Sequence, residues 1–311
     1  MVDSDLADAA RLLTERHRVH LHSAPLLSKR FTTPEVAESE VAKLLRSDGS
    51  SGAVAIRDDV VVGYMIGTAK DTKTWGSNVW VESAGYAAER NAVVADLYAA
   101  LAAGWGEEGR NAHYVVVPAI DEAVGPWFGL GFGLQHVHAA MPSRVTSDVE
   151  GPATIRRATK DDIEALVRLD VELPHHLTLS PTFSRLEPPV PDDLREEWLE
   201  DIDSEDFYHI VAEVNGVVVG AATGCDVKMS GSNASLIAPD DSGLLGYAAV
   251  DSEARGNRVG VALGQAINRW ARESGYEIVA TDWRATNPSA DRAWRRMGFQ
   301  PTFYRLHRAI I

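Results

Sequence analysis

The feature of this sequence that most constrains its fold is an internal duplication. Residues 53–67, AVAIRDDVVVGYMIG, and residues 210–224, IVAEVNGVVVGAATG, are identical at seven of fifteen positions. Each copy predicts two apolar strands joined by a polar turn. Later in each half, WFGLGF at 127–132 matches WRRMGF at 294–299, and a helical stretch followed by a strand lies between the two markers. Three matches in the same order indicate two copies of one domain.

The order of elements in each copy predicts an α/β (α+β mixed) fold in which helices flank a mixed sheet. The polar stretch SDVEGPA, Ser147–Ala153, separates the copies, so we expect domains at residues 1–148 and 153–311. The second domain opens with the strand TIRRA, followed by a capping box at 159–162 and a helix through Leu169. In the first domain an initial strand is not evident.

Charge and cysteine content narrow the class of protein. The formal charge of −15 argues against a general nucleic-acid or anionic-membrane partner, and it is compatible with an amine-bearing ligand. Cys225 is the single cysteine, which excludes an intrachain disulfide and suits a reducing compartment. Residues 1–17 are charged and amphipathic, and no apolar run is long enough to span a bilayer. We therefore expect a cytoplasmic protein, monomeric or homodimeric, with no nucleic-acid or membrane partner.

Residues 253–270, EARGNRVGVALGQAINRW, place a glycine-containing turn directly before a helix that starts at Val259. The turn follows the apolar strand LLGYAAV, and a strand, a turn and a helix N-terminus together present backbone amides to a diphosphate. The turn also supplies small and cationic residues, namely Gly256, Gly260, Arg255 and Arg258. An ordinary strand-to-helix connection with solvated arginines is the alternative.

Residues 255–260 and 287–301 together resemble the two motifs of the GNAT superfamily of acyl-CoA-dependent N-acetyltransferases. Arg255 and Gly260 match the first and last positions of its R/Q-x-x-G-x-G/A signature, and NPSADRAWRRMGF resembles its N-x-x-A, helix and L-G-F motif. The resemblance covers residues 154–308 and reaches the first half through the duplication. It implies tandem GNAT-like domains with mostly antiparallel sheets, the second of which binds acetyl-CoA.

The resemblance implies a cofactor site at the end of one strand, the following turn and helix, and the second motif. Its residues are Ala248, Ala249, Val250, Arg255, Gly256, Asn257, Arg258, Val259, Gly260, Val261, Ala262, Asn287 and Trp294. Arg258 replaces a signature glycine, so we expect it to adopt an ordinary helical conformation with its guanidinium near the phosphates, a weakened cradle being the alternative. Trp294 replaces a tyrosine that many members carry to protonate the thiolate, and an indole is not a usable acid.

Direct acyl transfer requires an uncharged amine, so a base must remove a proton from an ammonium of pKa about 10. The family often places a glutamate on the fourth strand, which LLGYAAV lacks. Candidate bases are Glu172, His175, His176, Asp226 and Asp282, and candidate proton donors to the thiolate are Tyr247 and Tyr304. His175 and His176 are expected in a connection that borders the acceptor site in this fold, although an exposed loop pair is the alternative. A backbone amide of Ala249 or Val250 would stabilise the oxyanion.

Three further patterns favour structural roles. At 89–96 the first half has no glycine where the second has its turn, which predicts that the first domain binds no cofactor. The G-x-G-x-G at 129–133 follows a helix, so it predicts a helix-to-strand turn and not a nucleotide site. His17, His20 and His22 are expected as surface histidines, with no metal site.

The sequence therefore predicts an acetyl-CoA-dependent N-acetyltransferase that acts on a small-molecule amine or a protein amine. A different class, an acyl-CoA-binding regulator or pseudoenzyme, is favoured by Trp294, Arg258 and the missing strand carboxylate. A third alternative is an enzyme similar to mycothiol synthase, a tandem GNAT that acylates a cysteinyl sugar amine. Chain length and duplication fit that alternative, but the specific motifs do not.

Overall fold

The computed structural model describes residues 1–73, 75–144, 153–184 and 187–310. The elements of the first half are α1 Leu6–Ser23, α2 Pro34–Leu45, β1 Ser50–Arg57, β2 Val60–Thr72, β3 Gly76–Val81, β4 Tyr86–Ala88, α3 Asn91–Glu107, β5 Ala112–Pro118, α4 Asp121–Gly129 and β6 Gly133–Pro142. Those of the second half are β7 Thr154–Arg157, α5 Ile163–Thr178, α6 Pro191–Asp201, β8 Phe207–Val214, β9 Val217–Asp226, β10 Ser242–Val250, α7 Val259–Glu273, β11 Ile278–Arg284, α8 Pro288–Met297 and β12 Gln300–Ala309.

The chain forms two compact units that differ from the linear halves at their last strands. The first comprises Met1–His138, Ser235–Ala238 and Pro301–Ile311, and the second comprises Ala139–Ala234 and Pro239–Gln300. The carboxyl-terminal strand β12 therefore belongs mainly to the first unit, where it pairs antiparallel with β5. Of the predicted boundary segment Ser147–Ala153, only Ala153 is among the described residues, so that division of the duplication stays a prediction.

Each unit is built on a mixed sheet with helices on its faces, which confirms the predicted fold class. The strand order is β1-β2-β3-β5-β12-β6 in the first unit, with β4 also paired to β2, and β6-β11-β10-β9-β8-β7 in the second. The pairs β3–β5 and β10–β11 are parallel, whereas β1–β2, β8–β9 and β9–β10 are antiparallel. Along β5, Val115 and Val117 pack in one core cluster and Val116 in another, because successive strand residues face opposite sides of a sheet.

Two of the repeated glycines in each copy are explained by helix packing. A Cβ at Gly63 would lie 2.7 Å from Val93 Cγ1 on α3, and one at Gly220 would lie 3.1 Å from Leu263 Cδ1 on α7. Four residues further along the strands, a Cβ at Gly67 would lie 2.3 Å from the ring of Trp105, and one at Gly224 would lie 2.7 Å from the ring of Trp270. Both sheets thus need glycine at these positions so that the helix can approach the strand.

Most of the short-range predictions are confirmed. The two predicted hairpins pair β1 with β2 and β8 with β9. The Thr159–Asp162 capping box is present, with the Thr159 amide 2.8 Å from Asp162 Oδ2. Gly298 ends α8 at φ 109°, and the glycines at 129–133 span the end of α4 and the start of β6. These features depend on neighbours in sequence, which makes them readable from local patterns.

Two predictions about histidines are wrong. His17 and His20 were expected at the surface, but each is 1% exposed, because they lie on the buried face of α1 against Phe31 and Phe303. His20 is kept neutral there, since burial lowers its pKa to about 3. Among the described residues, no group of three His, Cys, Asp or Glu side chains could hold a metal ion, and no helix is long and apolar enough to cross a membrane.

Candidate active site

The site in the second unit starts where two parallel strands separate. β10 and β11 pair from Ser242–Ile278 to Leu245–Thr281, and the Thr281 hydroxyl donates to the Leu245 carbonyl at 2.9 Å. β10 then continues to Val250 with an irregularity between Leu245 and Tyr247 in its register with β9. One edge of residues 246–250 is left without a strand partner within the described chain, so the backbone groups that point to this edge, apart from the Val250 carbonyl that Arg255 binds, are available to a ligand.

A cavity of about 310 Å³ lies at this opening. Its walls come from α5, the end of β10, the turn at 254–258, the start of α7, and α8. Eleven of the thirteen residues predicted to bind the cofactor line it: Ala248, Ala249, Val250, Arg255, Gly256, Arg258, Val259, Gly260, Val261, Asn287 and Trp294. Asn257 and Ala262 do not line the cavity, and of the candidate bases and proton donors only Glu172 and His176 do.

The start of α7 supplies backbone donors to the cavity. Val259, Gly260 and Val261 form its first turn, and the first intrahelical bond runs from the Ala262 amide to the Arg258 carbonyl at 3.0 Å. No side chain caps this end, so the three preceding amides keep their hydrogen-bonding capacity, and the positive end of the helix dipole adds to it. This arrangement suits a phosphate group.

Arg258 has a left-handed backbone, at φ 63° and ψ 10°, so the prediction of an ordinary helical conformation is wrong. We had expected the side chain to exclude a positive φ. Instead the turn keeps the shape that a glycine would give it, at a cost of about 1–2 kcal/mol for a residue with a Cβ. Gly256 also has a positive φ, 86°, so two left-handed residues reverse the chain between β10 and α7. The strain lies at the cavity wall.

Arg255 anchors the turn and does not offer a free charge. Its guanidinium contacts Glu172 Oε1 at 3.3 Å and His176 Nδ1 at 3.0 Å on α5, and its Nε donates to the Val250 carbonyl at 3.1 Å. Because arginine has no acceptor, His176 Nδ1 must accept, which places the proton of the neutral ring on Nε2. Burial and the nearby Arg255 lower the pKa of His176. His176 is therefore a neutral ring whose basic nitrogen is already occupied.

The prediction that His175 and His176 lie in a connection between helices is wrong. Helix α5 continues past Leu169 to Thr178 with Pro174 inside it, and His175 is exposed outside the cavity lining. Proline predicts a helix end because it lacks an amide proton and crowds the preceding turn. Here Leu166, Leu169 and Leu173 pack in the core up to the residue before the proline, and His176 after it contacts Arg255, so tertiary contacts hold the helix on both sides of that position.

Tyr247 lies beside the cavity, on the same face of β10 as Ala249. Its hydroxyl is buried without a hydrogen-bond partner among the described residues, and its ring packs 6.1 Å from that of Trp198. Burial, followed by the charge of Asp170, raises the pKa of Tyr247 well above its ordinary value. The phenol therefore stays protonated at neutral pH and can donate a hydrogen bond, whereas complete proton transfer to a thiolate is uphill.

Asp170 is a candidate functional residue that was not predicted from the sequence. This carboxylate accepts a hydrogen bond from Trp198 Nε1 at 3.2 Å, and burial raises its pKa. The signal was its position within the apolar stripe of α5, since Leu166, Leu169 and Leu173 surround it in sequence and all pack on the core. A charged residue on a buried helix face is unusual enough to be a candidate for function.

Two of the three remaining carboxylate candidates, Asp226 and Asp282, lie away from the opening. Asp226 pairs in register with Gly243 and Ala221 with Ala249, so five strand residues, roughly 17 Å, separate Asp226 from the level of Ala249. Asp282 on β11 accepts from Asn233 Nδ2 at 2.8 Å and does not line the cavity. Glu172 does line it but is engaged by Arg255.

The first unit contains the same strand break, filled by its own side chains. β3 and β5 pair in parallel up to Val81–Val115, and after the turn at 82–85 the chain resumes as β4. Arg16 of α1 donates to the carbonyls of Ser83 and Tyr86, and the Tyr64 hydroxyl donates to Ala84 at 2.7 Å. Acceptors that a ligand would need in this unit are thus already used.

The cavity lies within a segment that matches a known protein family. The profile of the Acetyltransferase (GNAT) family matches residues 172–299, which include the opening, the turn and α8. A search of curated proteins returned no match.

Solved structures share the fold at low sequence identity. A GCN5-related N-acetyltransferase from Sphaerobacter thermophilus is 15% identical with a TM-score of 0.59, and the match covers 99% of this chain and 94% of that one. A GCN5-related glucosamine N-acetyltransferase region of a fungal multi-domain GH3 β-N-acetylglucosaminidase is 15% identical with a TM-score of 0.53, covering 89% of this chain and 34% of that one. The first of these matches extends the fold over both halves of the chain. The second half therefore carries a GNAT-family acetyltransferase domain at residues 172–299.

Proposed function

We propose that the protein is an N-acetyltransferase that takes acetyl-CoA as acyl donor in its second unit and transfers the acyl group directly to a primary amine. The observation that carries this proposal is the coincidence of the strand opening with the uncapped start of α7 in one cavity. The first feature suits an extended amide-bearing chain, and the second suits a diphosphate. Coenzyme A contains both groups in one molecule.

The charges around the cavity support a polyanionic ligand. The chain carries a formal charge of −15, yet Arg258, Arg292 and Arg296 all line this cavity. Among the described residues, none of the three guanidiniums meets a carboxylate at ion-pair distance, although many other arginines of the chain do. Three uncompensated cations in one cavity of an acidic protein favour binding of an anion.

The residues fit the roles that acyl transfer requires. Acetyl-CoA supplies an acyl group activated as a thioester. The backbone amide of Val250, which points to the open edge of β10, would bind the oxygen that becomes negative as the amine attacks. Tyr247 would donate a hydrogen bond near the departing sulfur. Asp170, with its raised pKa, is better suited to accept the amine proton than an exposed aspartate.

A calorimetric titration with acetyl-CoA tests the proposed cofactor site. Gly260→Glu places a carboxylate among the amides at the start of α7, so we expect at least a roughly tenfold loss of affinity. Gly231→Glu is the matched control, because it adds the same charge where a Cβ meets nothing within 4 Å and outside the cavity lining. Equal affinity of wild type and Gly260→Glu would remove the ligand from this turn.

Turnover separates the enzyme from a cofactor-binding regulator. The regulator is the second candidate, because Trp294 is 7% exposed at the position of the family's acidic tyrosine and His176 has no free basic nitrogen. Release of free thiol from acetyl-CoA should be measured across small primary amines and peptides with free amino groups. Thiol release that depends on one of these amines supports the enzyme, whereas tight binding with no amine-dependent release supports the regulator. We also propose that the protein is a monomer or a homodimer and that it is located in the cytoplasm.

A further inference from the structure

Two arginines on one face of α8 form a cationic pair that is separate from the turn before α7. Arg292 and Arg296 are exposed, line the cavity and lie four residues apart, so their side chains are neighbours on the helix surface. Arg292 Nε donates to the Pro288 carbonyl at 3.0 Å, which leaves its terminal nitrogens to other partners. Like charges at this spacing repel each other, so the pair is unfavourable for the helix until an anion lies between them.

The third arginine of the helix shows the usual arrangement. Arg295 donates to Asp291 Oδ1 at 2.8 Å and lies 6.0 Å from the centre of the Trp283 ring. It does not line the cavity. Arg295, outside the cavity, is therefore paired with a carboxylate. Arg292 and Arg296, which line the cavity, are not paired with any described carboxylate.

The backbone at the start of α8 is not available to an anion. Asn287 Oδ1 accepts from the amides of Ser289 and Ala290 at 3.2 and 3.3 Å and so caps the helix. This contrasts with α7, which has no side-chain cap. Any anion held by α8 must therefore be held by its side chains, whereas the α7 turn offers backbone amides. The cavity thus offers two different kinds of group to an anion, the arginine side chains of α8 and the backbone amides at the start of α7.

We infer that Arg292 and Arg296 form a phosphomonoester subsite that takes the 3′-phosphate of coenzyme A, while the amides at the start of α7 take its diphosphate. This inference rests on the proposed function. Two guanidiniums suit a phosphomonoester, which carries close to two negative charges at neutral pH and accepts several hydrogen bonds. The protein then distinguishes coenzyme A from dephospho-coenzyme A through α8 alone.

Calorimetry with coenzyme A and dephospho-coenzyme A tests this assignment. We expect wild type to bind coenzyme A roughly 10- to 100-fold more tightly than dephospho-coenzyme A, the range for loss of a charge-assisted contact. Arg292→Gln/Arg296→Gln should bring the ratio of the two affinities close to one by weakening coenzyme A only. Arg295→Gln, the matched control on the same helix, should keep the wild-type ratio. Circular dichroism would verify that each variant is folded.

The possible failures are distinguishable. Equal binding of the two ligands by wild type would overturn the subsite and leave the proposed function standing. A double variant that weakens both ligands by the same factor would also overturn it, because the arginines would then act as a general positive field. Binding of neither ligand by wild type would overturn the subsite and the proposed cofactor together.

Discussion

Replacing Arg258 by glycine should make the protein more stable. The left-handed backbone of Arg258, φ 63°, costs about 1–2 kcal/mol for a residue with a Cβ, and glycine adopts it without that cost. Glycine also makes the unfolded chain more flexible, which costs about 0.5–1 kcal/mol. The difference between the middle values of the two ranges predicts a net gain of about 0.75 kcal/mol in the free energy of unfolding. For a unit of this size, that corresponds to a rise of roughly 1–4 °C in Tm.

Arg258→Ala separates the backbone effect from the loss of charge. Alanine keeps a Cβ and therefore keeps the strain, so Arg258→Ala should show no gain in stability. Both variants remove the guanidinium from the cavity, and both should bind acetyl-CoA more weakly, by roughly fivefold, the discounted value for an exposed charge. Urea unfolding followed by circular dichroism measures the first effect, and calorimetry measures the second.

The reasoning fails if Arg258→Gly is no more stable than Arg258→Ala. That result would mean that the left-handed conformation carries no strain for a residue with a Cβ. Unchanged acetyl-CoA binding in both variants would instead separate Arg258 from the ligand and leave the backbone argument intact.

Three other predictions concern buried groups. Tyr247→Phe removes a buried hydroxyl that lacks a described partner, so unfolding experiments should show a gain of about 1 kcal/mol while thiol release falls; a loss of stability would contradict the reasoning. Burial lowers the pKa of His20 to about 3 and that of His113 to about 4, so below pH 6.5 the unfolded chain binds protons that the folded chain does not. Urea unfolding should therefore show stability falling by about 1.4 kcal/mol per pH unit for each group between pH 6.5 and about 4, and no fall above pH 6.5. Burial raises the pKa of the Cys225 thiol to about 11, so a disulfide reagent at pH 8 should label the native protein at least roughly 100-fold more slowly than the unfolded protein.

The features that could be predicted from the sequence are those that depend on residues close together in the chain. The hairpin turns, the capping box before α5 and the glycine that ends α8 all depend on residues within a few positions of one another. Most of the residues predicted for the cofactor site line one cavity, and they were predicted because a short turn and a second motif carry the family resemblance. Their identity could be read without knowledge of the fold.

What could not be predicted depends on contacts between distant residues. Nothing local indicates that β12 pairs with β5, since the paired residues Phe303 and Pro118 are far apart in sequence. In the same way, the sequence around Arg255 shows no partner for its charge, because only the packing of α5 beside the turn brings Glu172 and His176 to its guanidinium. The continuation of α5 through Pro174 also depends on the tertiary core.

The two copies show how one strand break can serve two purposes. In both units the break lies opposite equivalent residues of the repeat, Gly67 on β2 and Gly224 on β9, and the parallel pairing ends there. The first unit inserts a longer turn whose carbonyls are taken by Arg16 and Tyr64. The second inserts only Gly246 and leaves the edge of the strand open beside a cavity. The unpaired backbone N–H and C=O groups at such a break must form hydrogen bonds with the protein or with a ligand. The side chains of Arg16 and Tyr64 form such bonds in the first unit, which is why we assign the ligand to the second.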